Sequence, residues 1–162
     1  MAEDRARRFI DALHRLEEDR DPDPIAELFA DDARLRNPVH EMRERGRDGA
    51  RHFWRTYRDT FDEIRSEFRN VVESDGAVAL EWYSHGRTSN GRECEYDGVS
   101  ILEYDEDDEG IRAFRAYFDP GKLGIQLRPG GPGRAARGGS GGATGAAGRP
   151  DRPRPATDSP TG

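Results

Sequence analysis

Apolar residues keep two rhythms along this chain. Up to residue 61 they recur at helical intervals, and beyond it they alternate with polar ones. Phe9, Leu13 and Leu16, with Ile10 beside them, make one stripe on a charged stretch and predict a helix over about 3–19. "DRDPDPIAELFADDA" reads as a turn and a short helix. Asp23 is placed as its cap, Pro24 as its first helical residue, and Ile25, Leu28 and Phe29 as its buried edge. A brief strand at "ARLRNPV" stops at Pro38, and "GRDGARHFWRTYRDTF" predicts a third helix with Phe53, Trp54, Tyr57 and Phe61 along it.

The period then changes to two. "SEFRNVVES", "AVALEWYSHG", "ECEYDGVSILEY" and "IRAFRAYFD" read as four successive strands. Their separators "DG", "SNG" and "DEDDEG" supply the residues that tolerate positive φ. Three helices in the N-terminal half followed by a strand meander predict an α+β fold. In it the helices pack on one face of a curved antiparallel sheet. "PGKLGIQL" is expected as a short extension covering an edge.

Composition divides the chain in two. Residues 128–162 hold 10 Gly and 6 Pro and no aromatic or branched apolar residue, so nothing there offsets the entropy of ordering. The expectation is a folded domain over 1–127 and a disordered tail. That tail carries six Arg and two Asp. Of the chain's 26 basic and 33 acidic residues, 20 and 31 therefore fall in 1–127, a net of −11. An acidic domain repels phosphate backbones, which speaks against nucleic acid as a partner. The basic tail itself could touch an anionic surface. No long apolar run suggests a membrane span, and "MAEDRARRFI" is too charged for a signal peptide, so a cytoplasmic location is expected.

Cofactor chemistry finds little purchase. Cys94 is the sole cysteine, excluding an intramolecular disulfide or a cysteine metal cluster, and it reads as a small buried hydrophobe. His14, His40, His52 and His85 lack ligand spacing, and "DEDDEG" lacks the calcium-loop pattern. No phosphate-cradling glycine motif occurs, so neither metal nor cofactor is expected.

The order helix, helix, short strand ending in "NPV", aromatic helix, then strands closing on "YFD" resembles the SnoaL-like branch of the nuclear-transport-factor-2-like superfamily. The pieces that carry it are "LFADDARLRNPV", "EYDGVSILEYD" and "FRAYFD". Ketosteroid isomerases, limonene-epoxide hydrolases, scytalone dehydratases and polyketide cyclases belong to that superfamily. The resemblance, over residues 5 to about 125, implies a cone-shaped sheet whose three helices enclose an apolar small-molecule pocket, and frequent homodimers. The fold alone does not fix the reaction.

Position by position, the resemblance implies less than a full catalytic set. The isomerases' proton-moving aspartate falls at Asn37, and an amide cannot serve as base. The hydrolases hold an asparagine there to position water. Their last-strand acid falls at Ala116, where no acid stands. Their middle-strand arginine and aspartate fall near Trp82 and Ser84, or near Glu81 and Tyr83 if the strand phase slips by one.

The residues themselves offer these candidates. Asn37 either presents its amide to a pocket or ties down the turn before Pro38. The Tyr96 hydroxyl is placed to polarise a carbonyl or hold water. Trp54, Tyr57, Trp82, Phe114, Ala116 and Phe118 would form the substrate-binding wall. Trp82 shares the phase of Val78 and Leu80. If that phase is reversed, Glu81 becomes a buried carboxylate and a candidate base. His40 is the other candidate base, and His40 and His85 lie in loop-like segments that would rim a pocket mouth. Two functions remain open. One is a cyclase, isomerase or hydrolase acting on a small apolar oxygenated molecule. The other is a non-catalytic ligand-binding or dimerisation module.

Overall fold

In the computed structural model, which describes residues 2–39, 45–106 and 110–127, each rhythm of the sequence becomes an element. Helix α1 (Ala2–Asp19) buries its Phe9, Leu13 and Leu16 stripe completely or nearly so. A single turn, α2 (Asp23–Ala26), leads into strand β1 (Phe29–Arg36). Helix α3 is Gly46–Asp59, and the long strands are β2 (Phe61–Glu73), β3 (Ala77–Thr88), β4 (Glu93–Tyr104) and β5 (Ile111–Phe118). Helix α4 (Pro120–Leu127) follows at once. These elements belong to one compact unit, residues 1–129. The tail expected over 128–162 lies outside the described residues, as does His40.

The fold is α+β with a curved five-stranded sheet in the order β1-β5-β4-β3-β2. It is not wholly antiparallel. The four meander strands pair antiparallel, but β1 adds to β5 in parallel, because the chain between them crosses the sheet as α3 before returning through the meander. Register shifts in β2 between Phe61 and Glu63, and between Phe68 and Asn70, insert extra residues that bend this strand.

Several local expectations are corrected. Asp23 is not the cap of α2 but its first residue. Its N–H donates to the Asp21 carboxylate at 3.0 Å, while its own carboxylate takes Arg51 at 2.6 Å. Phe29 opens β1 instead of closing a helix. Phe61 begins β2 although it continues the helical spacing of Tyr57. The chain turns between them at Thr60, whose hydroxyl donates back to the Thr56 carbonyl at 2.9 Å. The extension "PGKLGIQL" is helical. It lies beside the half of β4 that β5 leaves unpaired, where Lys122 bonds Asp97 at 2.9 Å and Leu123 is buried.

Arg58 locks the corner between α1, α3 and β2. Its buried guanidinium donates to the carbonyls of Glu17 at 3.1 Å, Phe61 at 2.7 Å and Asp62 at 3.3 Å. The interior has two apolar clusters. One joins α1–α3 to Val78, Leu80, Leu102, Ile111 and Phe114, and the other gathers Phe61, Ile64, Trp82, Cys94, Tyr96 and Leu123. Tyr57, Phe68 and Phe118 touch both.

Candidate functional site

Between those clusters lies a cavity of about 250 Å³. Its walls come from both: Phe9, Leu13, Phe53, Trp54 and Phe114 on one side, Phe61, Trp82, Tyr96 and Leu123 on the other. Rigid rings meeting edge to face cannot fill a concave space as aliphatic chains do. Trp54 alone packs T-shaped against Phe9, Phe53, Tyr57 and Phe114. A cavity near 150 Å³ accommodates benzene, so this one has room for a molecule on the order of ten non-hydrogen atoms.

The strand phase is settled by register. Trp82 shares the inner face with Val78, Leu80 and Ser84, while Glu81 is exposed on the outer face and accepts a hydrogen bond from the Asn70 amide. Glu81 is therefore not brought to the cavity. His85 is not in a loop. It sits within β3, partly exposed, 3.9 Å from the Glu67 carboxylate. Among the described histidines, His52 on α3 lines the cavity.

The other predicted residues do converge. Asn37, Tyr96, Trp54, Tyr57, Trp82, Phe114, Ala116 and Phe118 all line the cavity. Asn37 does so while its carbonyl oxygen accepts the Val39 N–H at 2.8 Å, so the turn and the wall use one side chain. Ala116 presents a methyl at the position where the resemblance implies an acid. Gly98 lies opposite Trp82 in the β3–β4 pair, and the indole occupies the space that a Cβ there would need.

A polar network that the sequence reading missed backs one part of the wall. Ser66 and Ser84 share a 2.7 Å hydrogen bond across β2 and β3, and the Trp82 indole N–H donates to the Ser100 hydroxyl at 2.9 Å. Behind them Glu17 of α1 is buried, only 6% exposed. Its carboxylate accepts the Ser66 N–H at 3.1 Å and the Tyr57 hydroxyl at 3.4 Å. His14, one turn earlier, donates from Nε2 to the Ser66 carbonyl at 3.0 Å.

Burial dominates the electrostatics here. It raises the Glu17 carboxyl above the usual range, although bonds from Ser66 and Tyr57 and the charge of His14 pull the other way. Burial likewise pushes the Tyr57 and Tyr96 hydroxyls well up, so both keep their protons at neutral pH. The Cys94 thiol is raised for the same reason and is inert. Trp54 Nε1 is buried with no hydrogen-bond partner among the described residues.

No group of three or more His, Cys, Asp or Glu among the described residues is arranged to hold a metal ion. No described helix is long and apolar enough to cross a membrane. What the cavity can do chemically is enclose an apolar body, offer neutral hydroxyls, and share a proton with one desolvated carboxyl.

A curved sheet closed by helices over an aromatic cavity is the architecture of the nuclear-transport-factor-2-like proteins. Within them, the chain belongs to the SnoaL-like domain family, whose model matches residues 6–113. An NTF2-like protein of unknown function from Burkholderia pseudomallei superposes with a TM-score of 0.66 at 20% identity, over 78% of this chain and 95% of that one. A ketosteroid isomerase-like fold from Catenulispora acidiphila, in complex with trimethylamine, gives 0.63 at 13%, over 74% and 91%. TerC, co-crystallised with polyporic acid, gives 0.64 at 15%, over 76% and 97%. At these identities the likeness is one of fold. The sequence has no significant match among the curated proteins.

Proposed function

We propose that this protein binds a small, largely apolar, oxygen-bearing molecule in the cavity and moves a proton on it, as an isomerase, cyclase or hydrolase would. The observation that carries this reading is the Tyr57 hydroxyl in the cavity wall, donating to a buried Glu17 carboxyl. Because its one proton is directed at Glu17, Tyr57 offers the cavity an oxygen that accepts. The carboxyl behind it can take up or return that proton as charge develops on the substrate. Tyr96, also neutral, is the complementary donor. Glu17 is a positioning group acting through Tyr57, since it does not line the cavity itself.

The test combines a ligand screen with two variants. Small apolar ketones, epoxides and lactones are scored by melting shift and then by product analysis. A ligand at about 100 times its dissociation constant adds about 2.7 kcal/mol, several degrees for a domain of this size. Turnover that disappears in Tyr57→Phe and Glu17→Gln while binding persists bears out the proton route. Turnover unchanged in both variants removes it.

One observation favours a second reading, a non-catalytic binding module: Ala116 faces the cavity with no acid to offer. Saturable binding without chemical change in any ligand decides for that reading.

The outer sheet face also bears on partners. Val72, Ala79 and Ile101 stand in register across β2, β3 and β4, with Val99 and Tyr117 in the neighbouring row. Val72 and Tyr117 are exposed. We infer a homodimer through this face, and sedimentation of the wild type against Val72→Asp tests it.

A further inference from the structure

We propose that a cleft on the outer face of the sheet, lined by Arg34, Arg36, Arg45, Arg112 and Arg115, binds a phosphate group of a small molecule. This site is separate from the aromatic cavity and does not rest on the reading given for it.

Strand register builds the cleft. β1 and β5 run in parallel, with Arg34 matched to Ala113 and Arg36 to Arg115. Leu35 and Phe114, matched between them, are buried, so the arginines share the outer face. Ala113 carries only a methyl and leaves a hollow between the longer side chains. Arg112 is the extra residue where the β4–β5 pairing shifts, Glu103 facing Ala113 and Tyr104 facing Ile111, so it lies outside as well. Arg45, the residue before α3, adds a fifth cation. The cleft is open and measures about 890 Å³.

Its carboxylates are too few for its cations. Glu103 takes Arg115 at 2.8 Å and Arg112 at 3.6 Å, and Arg112 also meets Asp105 at 3.0 Å. Asp32 is the other acid in the lining. Arg34, Arg36 and Arg45 meet no carboxylate among the described residues, and Arg36 donates to the Tyr117 hydroxyl at 3.1 Å instead. Neighbouring strands lie about 4.8 Å apart, so Arg36 and Arg115 are like charges held side by side, which is unfavourable without an anion between them. In a domain of net charge −11, five cations against two carboxylates reverse the local sign.

The complementary ligand follows from this chemistry. A guanidinium fork meets phosphate through two parallel N–H···O bonds, and a phosphate dianion has oxygens and charge for more than one fork. A carboxylate answers a single fork. A long polyanion fits poorly, because the cleft is bordered by Asp32 and Asp105 and the surrounding domain is acidic.

The experiment uses the full chain labelled with 15N, at an ionic strength held constant with sodium chloride. Inorganic pyrophosphate is titrated while the amide resonances of Arg34, Arg36, Ala113 and Arg115 are followed. The expected result is a saturable movement at these positions, with binding there at least about tenfold weaker in the Arg34→Gln/Arg36→Gln double variant. The arginines of residues 128–162 also attract the anion, and the double variant separates the two effects because it leaves them intact. Both substituted residues are exposed, and the wild-type titration does not depend on the variant. Movement that never saturates, or undiminished affinity in the double variant, overturns the site. Malonate binding as tightly as pyrophosphate overturns the choice of phosphate. A single-stranded oligonucleotide binding more tightly than pyrophosphate overturns the small molecule and makes the cleft a nucleic-acid surface.

Discussion

The indole N–H of Trp82 reaches diagonally across β3 and β4 to the Ser100 hydroxyl at 2.9 Å, over the bare backbone of Gly98. Both partners are buried. Ser100→Ala should cost about 1–3 kcal/mol, the penalty of an orphaned buried donor, measured as a lower urea midpoint with unchanged slope. A midpoint equal to wild type would mean that Trp82 had found another acceptor.

Gly98 is required by that geometry. A Cβ added there would stand 2.4 Å from the Tyr117 carbonyl oxygen and 2.8 Å from the Trp82 ring. Neither the strand backbone nor a packed indole yields easily. Gly98→Ala is expected to destabilise by about 1–3 kcal/mol or more, and to perturb Trp82 fluorescence before Trp54 is affected.

Glu17 should make stability depend on pH in a definite direction. Its folded-state pKa is raised above the ordinary 4.5, so the folded state holds the proton more tightly than the unfolded chain. Glu17 therefore costs nothing at low pH, and its cost grows as pH rises from about 4.5 through the folded value. Urea titrations of wild type and Glu17→Gln across pH 4–8 should diverge in the variant's favour as pH rises. His14 is common to both proteins. Parallel curves would show that the carboxyl is not raised.

Arg58 satisfies three carbonyls with one buried cation. Arg58→Leu keeps the apolar stem and strands those acceptors, so a loss of about 1.5–3 kcal/mol is expected. The corner at Thr60 should exchange its amide protons faster than the distant β4 does.

Ala116 tests whether the cavity is the binding site. Ala116→Leu should retain the fold and abolish ligand-induced melting shifts, because its extra carbons occupy the ligand's space. Ala116→Asp buries a charge instead, and its melting temperature should fall most at neutral pH and recover in acid, where the carboxyl is neutral.

Much of this was legible in the residue pattern. The stripe of Phe9, Leu13 and Leu16 determines the buried face of α1, and β4 begins and ends where alternation and turn residues said it would. Phe61 misled because i, i+4 spacing after Tyr57 is valid for a helix and silent about the turn at Thr60. The phase at Trp82 needed the cross-strand register, since alternation alone labels two faces without saying which is inner. Glu17 escaped because "RLEEDR" looks like a solvated face. The available signal was its place four residues after Leu13, on the apolar stripe itself. The parallel joining of β1 had no local signal at all, for it depends on a partner far along the chain.

That last feature has its own consequence. Arg36 of β1 is matched with Arg115 of β5, about 80 residues later, whereas the meander strands meet their neighbours through short hairpins. The cavity wall that carries Asn37 hangs from this distant match. A fragment ending before residue 111 could build hairpins and helices, yet it would have no chamber to hold a guest. The container is thus a property of the chain's two halves together, and it comes into existence only when they close.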